Sequence, residues 1–196
     1  MKADSALVEA IRALEGALDE LGVPAMIIGG VAVIAHGISR TTIDLDATVW
    51  GEEVLPVQIL QVFKKHGIEA RIENAESFAA KSQVLLLIHR PSGTRVDLSL
   101  AWLPFEKEAL ARAVEVSIDS ASFRAATPED LVVYKAVAWR QRDLDDIENL
   151  LLLHRDSIDI ERVRGLVKEF ALILDDPKRV EQFEEIIRRI EWIEDP

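Results

Sequence analysis

The apolar residues follow two periodicities, and the chain changes from one to the other several times. From residue 5 to 21, Leu7, Ile11, Leu14, Leu18 and Leu21 recur at helical spacing. They form one apolar stripe, with Ser5 as N-cap and Gly22 as the stop. Pro24 bars continuation of the helix. Residues 25–28, Ala-Met-Ile-Ile, read as a short buried strand, and residues 30–36, small and apolar up to Gly37, as a short buried helix. Then the period becomes two. Ile43, Leu45 and Ala47 alternate with Asp44, Asp46 and Thr48, so residues 43–49 predict a strand with one apolar and one polar face.

Further on, residues 53–66 predict a helix and 68–72 a short strand, whereas 73–82 carry neither period. The apolar run 84–88 predicts a central strand, and Pro91-Ser92-Gly93 a turn. Residues 95–101 alternate again, with Val96, Leu98 and Leu100 opposed to Arg95, Asp97 and Ser99. A helix over 105–113 and two strands, 115–118 and 122–125, follow. Thr127-Pro128-Glu129-Asp130 then opens a helix, with Thr127 as N-cap and Pro128 at the first position. Only helical patterns come after it, over 128–140, 143–154, 159–174 and 177–192. The reading is an α+β core over residues 1–126 and a helical region over 127–196.

Composition narrows the function classes. Of 196 residues 49% are apolar, which supplies a full core. Cysteine is absent, so disulfides and thiolate metal sites are excluded. No apolar run approaches the ~18 residues of a membrane span. The opening MKADSALVEAIRALE lacks the long apolar run of a signal peptide, so a cytoplasmic protein is expected. Net charge is −12, from 23 basic and 35 acidic residues, which opposes tight non-specific binding to long nucleic acid.

Asp44 and Asp46 carry the sharpest chemistry. Two carboxylates two apart on a strand share a face, roughly 6–7 Å apart along the chain. Both could reach a pair of metal ions about 3.5–4 Å apart. Asp97, on the polar face of another strand, would be a third ligand if the two strands are neighbours. An isolated D-x-D is more often solvated acid. Here Gly29-Gly30 stands upstream, before a helix, where bare backbone N–H groups suit phosphate or simply make a tight turn. Arg40 is either a surface residue or a guanidinium for phosphate or carboxylate. Lys135 lies in a segment that is otherwise apolar all round, so its cation needs a partner or a phosphate unless it snorkels to water. Asp143 and Asp146 read as capping acids of the following helix, and the four histidines as non-ligands.

The segment Gly29-Gly30-Val31-Ala32, Gly37, Arg40, Thr42, Asp44, Asp46 resembles the active-site signature of DNA polymerase β-like nucleotidyltransferases, and most closely their AbiEii/MenT-like toxin branch. Asp97 in Arg-Val-Asp-Leu matches the family's third strand carboxylate. Thr-Pro-Glu-Asp-Leu with Lys135, then Arg142-Asp143-Leu-Asp-Asp-Ile, is similar to the family's downstream motif. The resemblance implies a mixed sheet flanked by helices with a helical C-terminal region. It implies two Mg²⁺ ions, or Mn²⁺, at Asp44, Asp46 and Asp97, and an NTP held by Gly29, Gly30, Arg40, Thr42 and Lys135. It implies transfer of a nucleoside monophosphate to an acceptor hydroxyl, with a tRNA 3′ end or other RNA as acceptor and an antitoxin protein as partner. The chain has Gly-Gly where many members have Gly-Ser, so backbone N–H groups must take the phosphate. The alternatives are a small-molecule or protein hydroxyl as acceptor, or a non-catalytic NTP-binding module.

Overall fold

The structure is a computed structural model that describes residues 5–192, and side-chain surroundings as far as residue 190. The first four residues of the N-terminal stretch read above lie outside it. The chain divides into two compact units. The first takes the chain through Ala35 and from Ser39 to Ala126, and the second takes His36–Ile38 and the chain from Thr127 onward.

In the first unit the order is α1 (Ser5–Leu21), β1 (Ala25–Ile28), α2 (Gly29–Ala35), β2 (Asp44–Trp50), α3 (Pro56–Lys65), β3 (Ile68–Ala70), α4 (Ala75–Ser82), β4 (Val84–His89), β5 (Thr94–Ala101), α5 (Pro104–Arg112), β6 (Val114–Ile118) and β7 (Ala121–Ala125). The seven strands make one mixed sheet in the order β3-β4-β5-β2-β1-β7-β6. The pairs β2–β5 and β1–β7 are parallel and the rest antiparallel. This is the mixed, helix-flanked sheet that the resemblance implies, built from the strands that the alternating segments predict.

Period-two patterning sets which face is core. Leu45, Ala47 and Val49 of β2, Val96 and Leu98 of β5, and Leu85 and Leu87 of β4 are fully buried. Helix α1 lies over this face with Ile11 and Leu14 inward, and it also packs on α3, which buries Ile59 and Phe63. Each such side chain contributes about 1.5–3 kcal/mol of burial. The opposite face carries Asp44, Asp46, Thr48 and Trp50. Its Trp50 end is covered from α5, where Lys107 Nζ sits 4.9 Å from the Trp50 ring centre. Thr48 and Met26 are fully buried, while Asp44 and Asp46, at the other end, stay half-buried.

Three local outcomes differ from the pattern. Ile43 stands outside β2 and is 78% exposed, so the strand's apolar face begins at Leu45. Residues 51–53 form a single 3₁₀ turn, and α3 starts at Pro56, whose fixed φ suits a first helical position. Residues 75–82, which show no period, are helix α4, which buries Ala75 and Ala79.

On the outside of α1, Glu15 is pushed from near 4.5 up to about 7, by burial first and by the Asp19 carboxylate second. The backbone N–H and guanidinium of Arg124 oppose the rise.

The second unit holds α6 (Pro128–Ala138), α7 (Gln141–His154), α8 (Ile160–Ile173) and α9 (Lys178–Trp192). Thr127 Oγ1 accepts from the Asp130 backbone N–H at 3.3 Å and caps α6. Asp130 itself is fully buried and paired with Arg162 at 2.8 Å. Helix α6 ends where Trp139 takes φ 53° and its N–H returns to the Lys135 carbonyl. Arg179 Nη1 then donates to the open carbonyls of Ala136 and Val137, at 3.1 and 2.5 Å. His154 Nε2 meets the His36 carbonyl at 3.0 Å, which ties residues 36–38 into this unit. Among the described residues no helix is long and apolar enough to cross a membrane.

Candidate active site

The topology brings the three aspartates to one face of the first unit. Asp44 and Asp46 are two apart on β2, and β5 is its parallel neighbour with Asp97 directly opposite Asp46. Residues in register on neighbouring strands project to the same side, so all three carboxylates share the polar face. Asp44 lies opposite Arg95 in the adjacent row. The third carboxylate thus faces the same way as the first two.

Each acid meets a different environment. Oδ1 of Asp44 is buried and has no hydrogen-bond partner. Asp46 lies against Gly29, which has φ +66° at the start of α2. A Cβ on Gly29 would fall within the Asp46 carboxylate, and 2.7 Å from the Asp46 Cβ. Asp97 is paired with Arg71. Burial raises the Asp97 carboxyl above its ordinary range, and the nearby Asp44 charge adds to the rise, while Arg71 and Arg95 pull it back.

The glycine turn and the loop before β2 meet at the same place. A Cβ on Gly30 would stand 2.7 Å from Thr42 Oγ1 and 3.3 Å from Arg40 Nη2. Thr42 Oγ1 donates to the Asp44 carbonyl at 3.1 Å, and Arg40 Nε to the Thr41 carbonyl at 3.3 Å. Gly29, Gly30, Arg40, Thr42, Asp44, Asp46 and Asp97 therefore form one neighbourhood.

Lys135 belongs to the second unit. Its side chain is 7% exposed, and its ammonium contacts Asp143 at 3.1 Å and Asp146 at 2.7 Å. Burial would raise Asp143, but hydrogen bonds from Arg140 and the Lys135 charge outweigh it and hold the carboxyl below its ordinary range. The two acids read as caps are thus also the partners of the buried cation.

Arg71 is the site residue the sequence reading passed over. Alternation gave the signal: with Ile68, Ala70 and Ile72 on one side of the predicted strand 68–72, Arg71 falls on the polar side with Glu69.

The donor set fits a hard divalent cation, since Mg²⁺ takes one or two carboxylates plus substrate phosphate oxygens. The buried Asp44 Oδ1 without a partner points the same way. Among the described residues no three His, Asp or Glu side chains are gathered into a ready cation cluster. Asp97 is engaged by Arg71 instead, as expected of three like charges that need a counter-ion.

Comparison with solved structures places the fold. The antibiotic-resistance factor ANT(2″)-Ia in solution superposes with a TM-score of 0.63 at 19% identity, over 92% of this chain and 99% of that one. Its crystal structure in complex with adenylyl-2″-tobramycin gives 0.59 at 20% identity, over 86% and 98%. An antigenic nucleotidyltransferase-like protein from Paracoccidioides brasiliensis gives 0.54 at 16% identity, over 92% and 94%. No curated protein matches the chain in sequence. Residues 5–195 match the family described as "Nucleotidyltransferase of unknown function (DUF6036)", and with that span the chain belongs to this nucleotidyltransferase family.

Proposed function

We propose that this nucleotidyltransferase moves a nucleoside monophosphate from an NTP to an acceptor hydroxyl, with Mg²⁺ (or Mn²⁺) at the face of Asp44, Asp46 and Asp97. One observation carries the reading: Asp97 stands in register with Asp46 on the adjacent parallel strand, beside a glycine turn with no room for a side chain. Asp44 and Asp46 would hold the ion, with Asp97 completing the set. When bound, the ion offsets phosphate charge and lowers the pKa of the attacking hydroxyl. Gly29 and Gly30 let the turn's backbone pack directly against Asp46 and Thr42, which would bring its N–H groups to the triphosphate, and Arg40 would offer it a guanidinium. The bond from the acceptor oxygen to the α-phosphorus forms as the bond to pyrophosphate breaks. The hydroxyl proton passes to Asp97, the carboxylate in register with Asp46. Lys135, expected at the triphosphate, has its charge matched by Asp143 and Asp146, so we assign it to fastening α6 to α7.

A small hydroxylated molecule is the acceptor we favour. The net charge of −12 opposes a long polyanion, and ANT(2″)-Ia is seen with adenylyl-2″-tobramycin. The second reading is an RNA acceptor, a tRNA 3′ end, for a cytoplasmic toxin with an antitoxin partner. The likeness of the Gly29–Asp46 segment to AbiEii/MenT-like toxins supports it. The test is to incubate the protein with each labelled NTP and Mg²⁺, against aminoglycosides in one arm and total tRNA in the other. Asp46→Ala serves as control. Label should move to one acceptor class and stop in the variant. No transfer in either arm, or equal transfer by the variant, overturns the proposal.

A further inference from the structure

Arg71 lies just past the end of β3, and its backbone N–H bonds to the Leu86 carbonyl of β4 at 2.8 Å. Leu86 is opposite Asp97, and Asp97 is opposite Asp46. Leu86, Asp97 and Asp46 therefore form one row across β4, β5 and β2 on the polar face, with Arg71 at its end. Arg71 reaches over Leu86 and ends on the Asp97 carboxylate. Its side chain is 23% exposed, and its Nε is buried with no hydrogen-bond partner. An ordinary surface arginine would turn that donor to water. Here the guanidinium is held on Asp97 although one of its own donors goes unmatched.

Asp44, in the next row, has the opposite need: a buried carboxylate oxygen without a donor. One side of this face thus lacks a cation and the other lacks an acceptor oxygen. A divalent cation carrying phosphate would supply both.

We propose that Arg71 is a positioning residue of this site, which clamps Asp97 beside Asp46 and competes with divalent cations for that carboxylate. The inference rests on the nucleotidyl-transfer reading above. Arg71 acts as a stand-in counter-ion, which keeps three acids from repelling one another when no metal-nucleotide is bound. A bound cation would be held by Asp44, Asp46 and Asp97 and would neutralise Asp97 in place of Arg71. The guanidinium would then present its unmatched N–H to an oxygen of the phosphate or acceptor.

The test is titration of Mn²⁺ into nucleotide-free protein, read by the loss of free-ion paramagnetic resonance signal. Arg71→Gln should bind Mn²⁺ about fivefold more tightly than the parent, the scale of losing a part-buried ion-pair competitor. Arg71→Lys should fall between them. Adding Asp97→Asn to Arg71→Gln should abolish the gain. A gain in affinity cannot come from misfolding, which separates this readout from a structural role. In the transfer assay Arg71→Gln should lower kcat with little change in the NTP KM, and Arg71→Lys should restore part of it. If the parent binds Mn²⁺ and Arg71→Gln binds it no better, the Arg71 proposal is overturned alone. If the parent binds no Mn²⁺ and no Mg²⁺-loaded non-hydrolysable NTP analogue by calorimetry, the nucleotidyl-transfer reading falls, and this inference with it.

Discussion

Replacing Lys135 with methionine should destabilise the chain severely, and the structure sets the size of the effect. The ammonium is 7% exposed and lies within 3.1 Å of Asp143 and 2.7 Å of Asp146, whose side chains are 0% and 6% exposed. Methionine keeps most of the volume but removes the ammonium that both buried carboxylates contact, while Arg140 still reaches Asp143 at 2.7 Å. Breaking a buried pair by removing one partner costs about 3–5 kcal/mol. At roughly 2–4 °C per kcal/mol for a chain of this size, the melting temperature should fall by roughly 6–20 °C. Because the group is buried, the loss should persist at high salt. Adding Asp146→Leu should recover part of it, since one of the two buried carboxylates that faced the ammonium is then gone. Urea titration of the parent, the single variant and the double variant would measure this. A Lys135→Met protein as stable as the parent, with a raised KM for NTP, would refute the reasoning and return the ammonium to the triphosphate.

Three further outcomes follow from the structure. Gly29→Ala should cut transfer at least about tenfold, equivalent to ~1.4 kcal/mol, because φ is +66° and the new Cβ would enter the Asp46 carboxylate; steady-state kinetics at saturating Mg²⁺ measures it, and an unaffected variant would remove Gly29 from the site. Glu15 has a folded-state pKa raised from near 4.5 to about 7, so the folded protein holds a proton that the unfolded chain releases in that window. Stability should therefore fall as pH rises from about 4.5 to about 7, and Glu15→Gln should flatten that part of the curve in urea titrations at fixed pH values. Thr127→Ala should cost about 1 kcal/mol by removing the α6 cap, read as a shift in urea midpoint with no change in slope.

Much of the fold was legible wherever burial alternates along one element. The strand pairs and the helix of residues 5–21 are of this kind, because Leu45, Ala47, Leu98, Ile11 and Leu14 repeat at the period of their own backbone. Helix α4 was not legible, because its inward residues are Ala75 and Ala79, too small to stand out from Ser and Glu neighbours. The cover that α5 gives the Trp50 end of β2 comes from a segment more than fifty residues on and leaves no trace around residue 50. Ile43 misled for the converse reason: it fits the alternation, yet the strand begins one residue later.

At the site, sequence showed Asp44 and Asp46 on one face, but whether Asp97 joined them hinged on strand order. The register of β5 on β2 supplied that. The partners of Lys135 lie on the next helix, so projecting one helix could show only that a partner was needed. Alternation put Arg71 on a polar face, but its pairing with Asp97 was hidden because it depends on the register of β4 on β5.

The central claim is a metal-dependent nucleotide site built on β2, and calorimetric titration of a non-hydrolysable NTP analogue tests it most directly. The parent should bind the analogue with Mg²⁺ present and lose most of that affinity in excess chelator, while Asp44→Asn and Asp46→Asn should bind weakly in both conditions. Equal binding with and without Mg²⁺, or full affinity in both variants, would contradict the account.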